Sequence, residues 1–283
     1  PLILSSVSAN NHSEIYQRKS IVQLYKDAGF RTLVVSCQAP NRGMIQMMCD
    51  GADSVIYLNG QHDGAMLDPL CEAIQNDSSD LFVLMHSYGS HFNYAERYPA
   101  EFSRYTPDDD VSISRKNRER MVNAYDNSIL YTDWFISQVI KTLNDEKCCS
   151  AMFYCSDHGE DLYDDRRGRF LHSSPTITYY QAHVACLGWY SDAWREANPE
   201  KALAAENNTF APATTHSVFH TVAQLTEIDS EYISSAVSLV SGAFNYNVER
   251  HYLSDHCEPK RYIDMGLNRD DVKELAMRDI NEL

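Results

Sequence analysis

Cys155-Ser156-Asp157-His158-Gly159-Glu160 sets a carboxylate and an imidazole side by side, directly after the apolar run Ala151-Met152-Phe153-Tyr154. An Asp oxygen and a His nitrogen can share one zinc ion. In open α/β sheets, active sites collect where strands end and loops begin. Taken alone, the hexapeptide fits a polar turn equally well, with Asp157 capping and His158 solvated. Three further segments bear on that choice. His86-Ser87-Tyr88-Gly89-Ser90-His91 follows the apolar run Leu81 to Met85. A single strand-end histidine is usually a hydrogen-bonded structural residue, but a second in the same loop favours a metal or phosphate site. His172 lies in Phe170-Leu171-His172-Ser173-Ser174-Pro175, and Gln38 to Arg42 follows Val34-Val35. Asp157 and His158 can fill two positions of one zinc site, with His91 and His172 forming a second close by. Two such ions would neutralise a phosphate ester and lower the pKa of a nucleophile. Arg42 would add a charge-assisted contact to a phosphate oxygen.

Other polar residues carry weaker signals. His216 and His220 lie four apart on a helical pattern and share a face, which suits core or solvated histidines better than a metal pair without a carboxylate. His251 and His256 show no pattern. Arg166, Arg167 and Arg169 form a basic cluster that reads as a solvated loop or as an attractor for an anionic headgroup. Ser87 and Ser90 flank Gly89 and are read as turn formers, and Ser156, next to Asp157 in the strand direction, is expected to point to the other side of the chain, so no nucleophile is assigned within the chain.

The elements that must position these residues alternate. Tyr16 to Phe30 reads as an amphipathic helix and Thr32 to Ser36 as a buried strand. Ser54 to Leu58, Leu81 to Met85, Ala151 to Cys155 and Ala182 to Tyr190 read as further strands. Helical patterns cover Asp68 to Gln75, Ser112 to Leu143, Thr215 to Leu225, Glu231 to Val240 and the acidic tail Arg269 to Leu283. Continuous apolar strands alternating with helices predict an α/β fold with a mostly parallel sheet covered on both faces. The segment Asn93 to Val111, long and rich in Tyr and Pro, is expected to be either an ordered active-site surface or a mobile excursion.

The chain has 283 residues, 43% of them hydrophobic, enough for a large core. Its 40 acidic against 24 basic residues give a net charge of −16, which excludes non-specific nucleic-acid binding through a basic footprint. It also disfavours direct contact with an anionic bilayer. No apolar run approaches the roughly 18 residues of a membrane span. Pro1-Leu2-Ile3-Leu4 is apolar with no basic region ahead of it, so no leader is read there and the sequence is expected to open inside a folded unit. The eight cysteines form no CxxC pair, which argues against a zinc ribbon and leaves disulfides open.

Together, His86-Ser-Tyr-Gly-Ser-His91, Tyr125-Asp126-Asn127-Ser128-Ile129-Leu130-Tyr131-Thr132-Asp133, Ser156-Asp157-His158-Gly159-Glu160 and Leu171-His172 resemble the phosphoethanolamine transferases. These bacterial enzymes decorate lipid A or lipooligosaccharide and include the mobile colistin-resistance proteins. The Asp-His-Gly-Glu piece alone fits the wider sulfatase and alkaline-phosphatase-like superfamily; the other pieces are more specific. The resemblance runs from Pro1 to about Leu225. It implies a three-layer α/β/α sandwich, alkaline-phosphatase-like, as a single domain over 1–283. It also implies Asp157 and His158 as ligands of the catalytic zinc, and His91 and His172 as the pair binding a second zinc or the incoming headgroup. His86, Gln38 and Arg42 match substrate-binding positions, where the family carries Asn and Lys in place of the last two. The family's nucleophilic Thr, a Glu ligand and membrane helices precede the position matched by Pro1. The expected whole is therefore a periplasmic domain anchored in the bacterial inner membrane by helices upstream of Pro1. It would use zinc to move phosphoethanolamine from phosphatidylethanolamine to a lipid A or core-sugar acceptor. A sulfatase or phosphodiesterase with water as acceptor is the alternative, although the Cys/Ser-x-Pro-x-Arg motif of sulfatases is absent from these residues. The third reading is an inactive metal-binding piece of such an enzyme.

Overall fold

A computed structural model describes residues 2–40, 42–76, 78–109, 112–165, 167–172, 177–254 and 256–264. Strands β1 (Arg31–Ser36), β2 (Ser54–Tyr57) and β3 (Leu81–His86) form a parallel sheet in the order β2-β1-β3. Their side chains alternate between two apolar layers, as the pleat requires. Val34, Val55, Phe82 and Leu84 pack on one face against α1 (Ile21–Asp27), α2 (Met44–Cys49) and a later helix carrying Phe219 and Ala223. Leu33, Val35, Ile56, Val83 and Met85 pack on the other against α3 (Leu67–Asn76) and α4 (Arg118–Asp145), through Leu70, Ala73, Phe135 and Val139. Helices therefore cover both faces, as the apolar strand runs predict.

β4 (Ala151–Cys155) leads into β5 (Asp161–Leu162) and β6 (Phe170–Leu171), which pair with each other, then α5 (Tyr179–Ala182) and β7 (Cys186–Tyr190). β4 and β7 pair antiparallel, a departure from the parallel expectation. A parallel return needs a covering crossover, usually a helix; α5 is a single turn. Beyond β7 come α6 (Asp192–Ala197), α7 (Pro199–Asn207) and α8 (His216–Gln224), the helix that supplies Phe219 and Ala223. A last hairpin joins β8 (His251–Leu253) to β9 (Pro259–Arg261).

Two expected helices differ. Tyr16 to Phe30 splits: α1 starts only at Ile21, where Ser20 accepts from the Gln23 N–H and Gln23 reaches back, a capping box. Glu231 to Val240 holds a short 3-10 turn, Ser235–Val237. Its backbone donors are taken by α8: the Ser234 N–H donates to His220 Nδ1 at 3.1 Å and the Leu239 N–H to Thr221 Oγ1 at 2.9 Å. The expected helix over Arg269 to Leu283 lies outside the described residues. No described helix is long and apolar enough to cross a membrane.

Candidate metal centre

The carboxyl ends of β3 and β4 bring the histidines together. His86 is the last residue of β3, and its Nδ1 lies 3.0 Å from Ser36 Oγ at the end of β1. Burial pushes its pKa below the usual histidine value, while the nearby charges of Asp157 and Asp63 pull it back up. The loop that follows is pinned by Asp63, which is buried and accepts from the backbone N–H groups of Tyr88 (2.7 Å) and Gly89 (2.8 Å). Gly89 takes a positive φ of 56° there. Gln38 braces the same loop, donating to Ser87 O at 3.1 Å. α4 supports both: Tyr131 accepts from the Gly64 N–H at 2.9 Å, next to Asp63, and Ser128 donates to Ser90 Oγ at 2.8 Å.

Asp157 and His158 follow β4 directly. Gly159 holds this loop against the next segment: its N–H donates to Gln181 O at 2.8 Å, and a Cβ there would lie 2.1 Å from Tyr180 O. The ring of His158 lies on that of His172, centroids 3.9 Å apart, and His91 is the next ring out, 6.1 Å from His172. The three rings share one feature. His158 Nδ1 lies 3.0 Å from Gly159 O, His91 Nδ1 2.6 Å from Phe92 O, and His172 Nδ1 2.7 Å from Glu160 Oε1. A carbonyl or carboxylate oxygen only accepts, so each Nδ1 carries a proton, and in the neutral imidazole the lone pair then sits on Nε2. That is the tautomer a metal-binding histidine adopts when an oxygen fixes its far nitrogen.

Glu160 is buried, and its other oxygen accepts from the Tyr94 hydroxyl at 3.0 Å. Burial and this carboxylate raise the Tyr94 pKa, so the hydroxyl stays a donor. The ligand atoms of His158, Glu160 and His172 lie within 4.8 Å of one another. Asp157 is three-quarters exposed, with Oδ1 3.8 Å from His158 Nε2. Two ligands of one tetrahedral zinc stand about 3.3 Å apart, given bonds of about 2.0–2.1 Å. The chemistry of this donor set, two imidazoles with Asp157 and Glu160 beside them, fits zinc.

His158 and His172, read from the sequence as ligands of two neighbouring sites, lie ring beside ring at a tilt of 32°. Glu160, quoted in the motif but given no role, holds His172. Its signal was a carboxylate two positions beyond a candidate ligand. Gln38 supports the histidine loop. Arg42, at φ 52°, is exposed on the loop after β1, where its N–H donates to Gln46 Oε1, and no contact among the described residues joins it to the histidines. Arg166 lies outside the described residues, and Arg167 pairs with Asp165. Ser156 donates to His158 O at 2.9 Å. A cavity of about 440 Å³ opens beside Glu160, lined also by Arg118, Tyr125, Asp126, Asp164 and His183.

The sulfatase family model matches residues 1–228. Kdo(2)-lipid A phosphoethanolamine 7''-transferase of Escherichia coli K12 is 34% identical over 145 residues, half of this chain and a quarter of that protein. Phosphoethanolamine transferase EptA of Salmonella typhimurium is 26% identical over 231 residues, 79% of this chain and 41% of that protein. The chain thus spans well under half the length of these curated relatives. Among solved structures, the C-terminal periplasmic domain of Escherichia coli EptC superposes with a TM-score of 0.83 at 20% identity, over 94% of this chain and 78% of that one, and shares the fold. The same domain in complex with Zn gives 0.82, at 20% identity over 93% of this chain and 77% of that one. The corresponding domain of EptC from Campylobacter jejuni gives 0.77 at 26% identity, over 88% and 79%. The fold is that of the EptC periplasmic domain, and the chain belongs to the sulfatase family, within which it is similar to phosphoethanolamine transferases.

Proposed function

We propose that this chain is the zinc-binding periplasmic domain of an inner-membrane phosphoethanolamine transferase, as a single domain over 1–283. In this reading it moves phosphoethanolamine from phosphatidylethanolamine to a lipid A or core-sugar acceptor. The observation that carries the reading is the group of three histidines with Nδ1 anchored on oxygen, flanked by Asp157 and Glu160. His158 and Asp157 would hold one zinc. His172, fixed by Glu160, and His91 would hold a second ion or the phosphate. Bound zinc supplies charge neutralisation for a phosphoryl group and lowers the pKa of a hydroxyl nucleophile.

The residues of the chain do the remaining work. Asp63 and Gln38 fix the loop that presents His91. His86, kept neutral by burial, would offer a hydrogen bond rather than a charge to the headgroup. Arg42, on the loop after β1, would meet a phosphate oxygen. The carboxylates around the 440 Å³ cavity, Glu160, Asp126 and Asp164, give it the charge that a primary ammonium group needs. A Thr upstream of Pro1 in the whole protein, implied by the resemblance, would supply the nucleophile.

The test is expression of the whole parent protein in a bacterium lacking such transferases, with mass spectrometry of the extracted lipid A and core. Phosphoethanolamine on the glycolipid, lost in His158→Ala and His172→Ala, is the expected result. Release of free phosphoethanolamine with an unmodified glycolipid would replace the transferase reading with a phosphodiesterase.

A further inference from the structure

Cys155 and Cys186 face each other across the strands at the base of the metal centre. Cys155 ends β4, and its register partner is Cys186, the first residue of β7. The flanking hydrogen bonds fix the kind of position. Ser156 N–H donates to Ala185 O at 3.0 Å and Ser191 N–H to Ser150 O at 2.9 Å. Hydrogen-bonded pairs alternate from those two, so Cys155 and Cys186 form a non-hydrogen-bonded pair. Cα atoms at such a pair lie about 4.5 Å apart, inside the range of about 4.4–6.8 Å that disulfides span. Cys186 is exposed and Cys155 half-buried. None of the other six cysteines has a cysteine as its strand partner.

The position has a consequence for the site. The chain between the two cysteines carries Asp157, His158, Glu160 and His172, and it is already closed by the Gly159 N–H to Gln181 O bond. A link from 155 to 186 would seal this segment at its base.

We propose that Cys155 and Cys186 form a reversible cross-strand disulfide that locks the segment bearing the metal-centre residues. The oxidant is a disulfide, such as glutathione disulfide. The exposed Cys186, as thiolate, attacks one glutathione sulfur; that S–S bond breaks, and one glutathione leaves as a thiolate and takes up a proton. Cys155 gives its proton to solvent and attacks Cys186 Sγ, expelling the second glutathione. Two cysteine thiols are oxidised and one glutathione disulfide is reduced.

The experiment equilibrates the full chain with glutathione redox buffers in the presence of a chelator, so the result does not depend on metal. Free thiols are alkylated, and the digested protein is mapped by mass spectrometry. The expected product is a Cys155–Cys186 linked peptide, abolished by dithiothreitol and by either Cys155→Ser or Cys186→Ser. It should come with a rise in melting temperature of roughly 5 °C for a closed loop of this size. The proposal fails if both cysteines stay alkylatable under full oxidation. It also fails if Cys186 stops at a glutathione adduct while Cys155 remains free, or if either links to another cysteine. The wild-type map decides these outcomes even if a variant folds poorly.

Discussion

The Nδ1 atoms of His158 and His172 each face an oxygen, and that single fact gives Glu160 its importance. Glu160 lies between the Tyr94 hydroxyl and His172, so its carboxylate sets both the tautomer and the direction of the ring. Replacing an outer partner of a metal-binding histidine typically costs about 10–100-fold in metal affinity. Glu160→Gln should therefore weaken zinc binding by about that factor in a competition titration with a chelating dye. Unchanged affinity would remove Glu160 from the centre. Candidate histidines were legible in the sequence because they sit just beyond apolar runs. The pairing of His158 with His172 was not, since it depends on how the β5–β6 ribbon folds back. Asp63 was equally hidden: in Gly60-Gln61-His62-Asp63-Gly64 it looks like a turn residue, and its partners lie some 25 positions away in sequence.

At the scale of elements, α4 organises the site from behind. Its motif Tyr125 to Asp133 points several ways at once. Asn127, fully buried, accepts from the N–H groups of Arg104 and Tyr105 and donates to Asp108, while Tyr131 and Ser128 hold the two loops near the histidines. Asn93 to Val111 is thus an ordered surface across its described residues, held by Asn127 together with Asn123, which donates to Pro107 O at 2.9 Å. Removing a buried acceptor strands its donors, at about 1–3 kcal/mol each. Asp63→Ala, which strands the Tyr88 and Gly89 N–H groups, should cost about 3 kcal/mol in urea unfolding. It should also speed amide exchange in residues 86–91; a loss under about 0.5 kcal/mol would show that the loop holds without it. Gly159→Ala should cost about 1–3 kcal/mol, the usual range for overpacking, because the new methyl meets the Tyr180 carbonyl. Strand positions were legible because each is an apolar run. The antiparallel return of β7 was not, because sequence shows no strand direction. The missing helix at 231–240 follows from α8 side chains capturing its backbone donors.

The whole molecule should respond to acid through buried histidines remote from the metal centre. His216 and His220 touch through their Nε2 atoms, 3.1 Å apart, and burial lowers both pKa values, that of His220 to about 4. The unfolded chain binds a proton at each near pH 6.5, the folded chain only at lower pH. Stability from this pair is therefore complete above about pH 6.5 and is lost as pH falls towards 4, by about 1.4 kcal/mol per pH unit for each histidine still neutral in the fold. Falling pH also discharges a chain of net charge −16, which relieves repulsion. Comparing wild type with His220→Gln in urea melts from pH 7 to pH 4.5, with chelator present, separates the two effects. The wild type should lose about 2 kcal/mol more than the variant over that range; equal losses would contradict the assignment.

The central claim is that His158 and His172 are ligands in adjoining parts of one metal centre, His158 with Asp157 on one zinc and His172 with His91 on the second. The direct measurement is calorimetric zinc titration of the wild-type chain, His158→Ala, His172→Ala and the remote control His12→Ala. Each site variant should bind at least about 10-fold more weakly and the control as the wild type does, with circular dichroism showing all four folded. Wild-type affinity in either folded site variant would contradict the account.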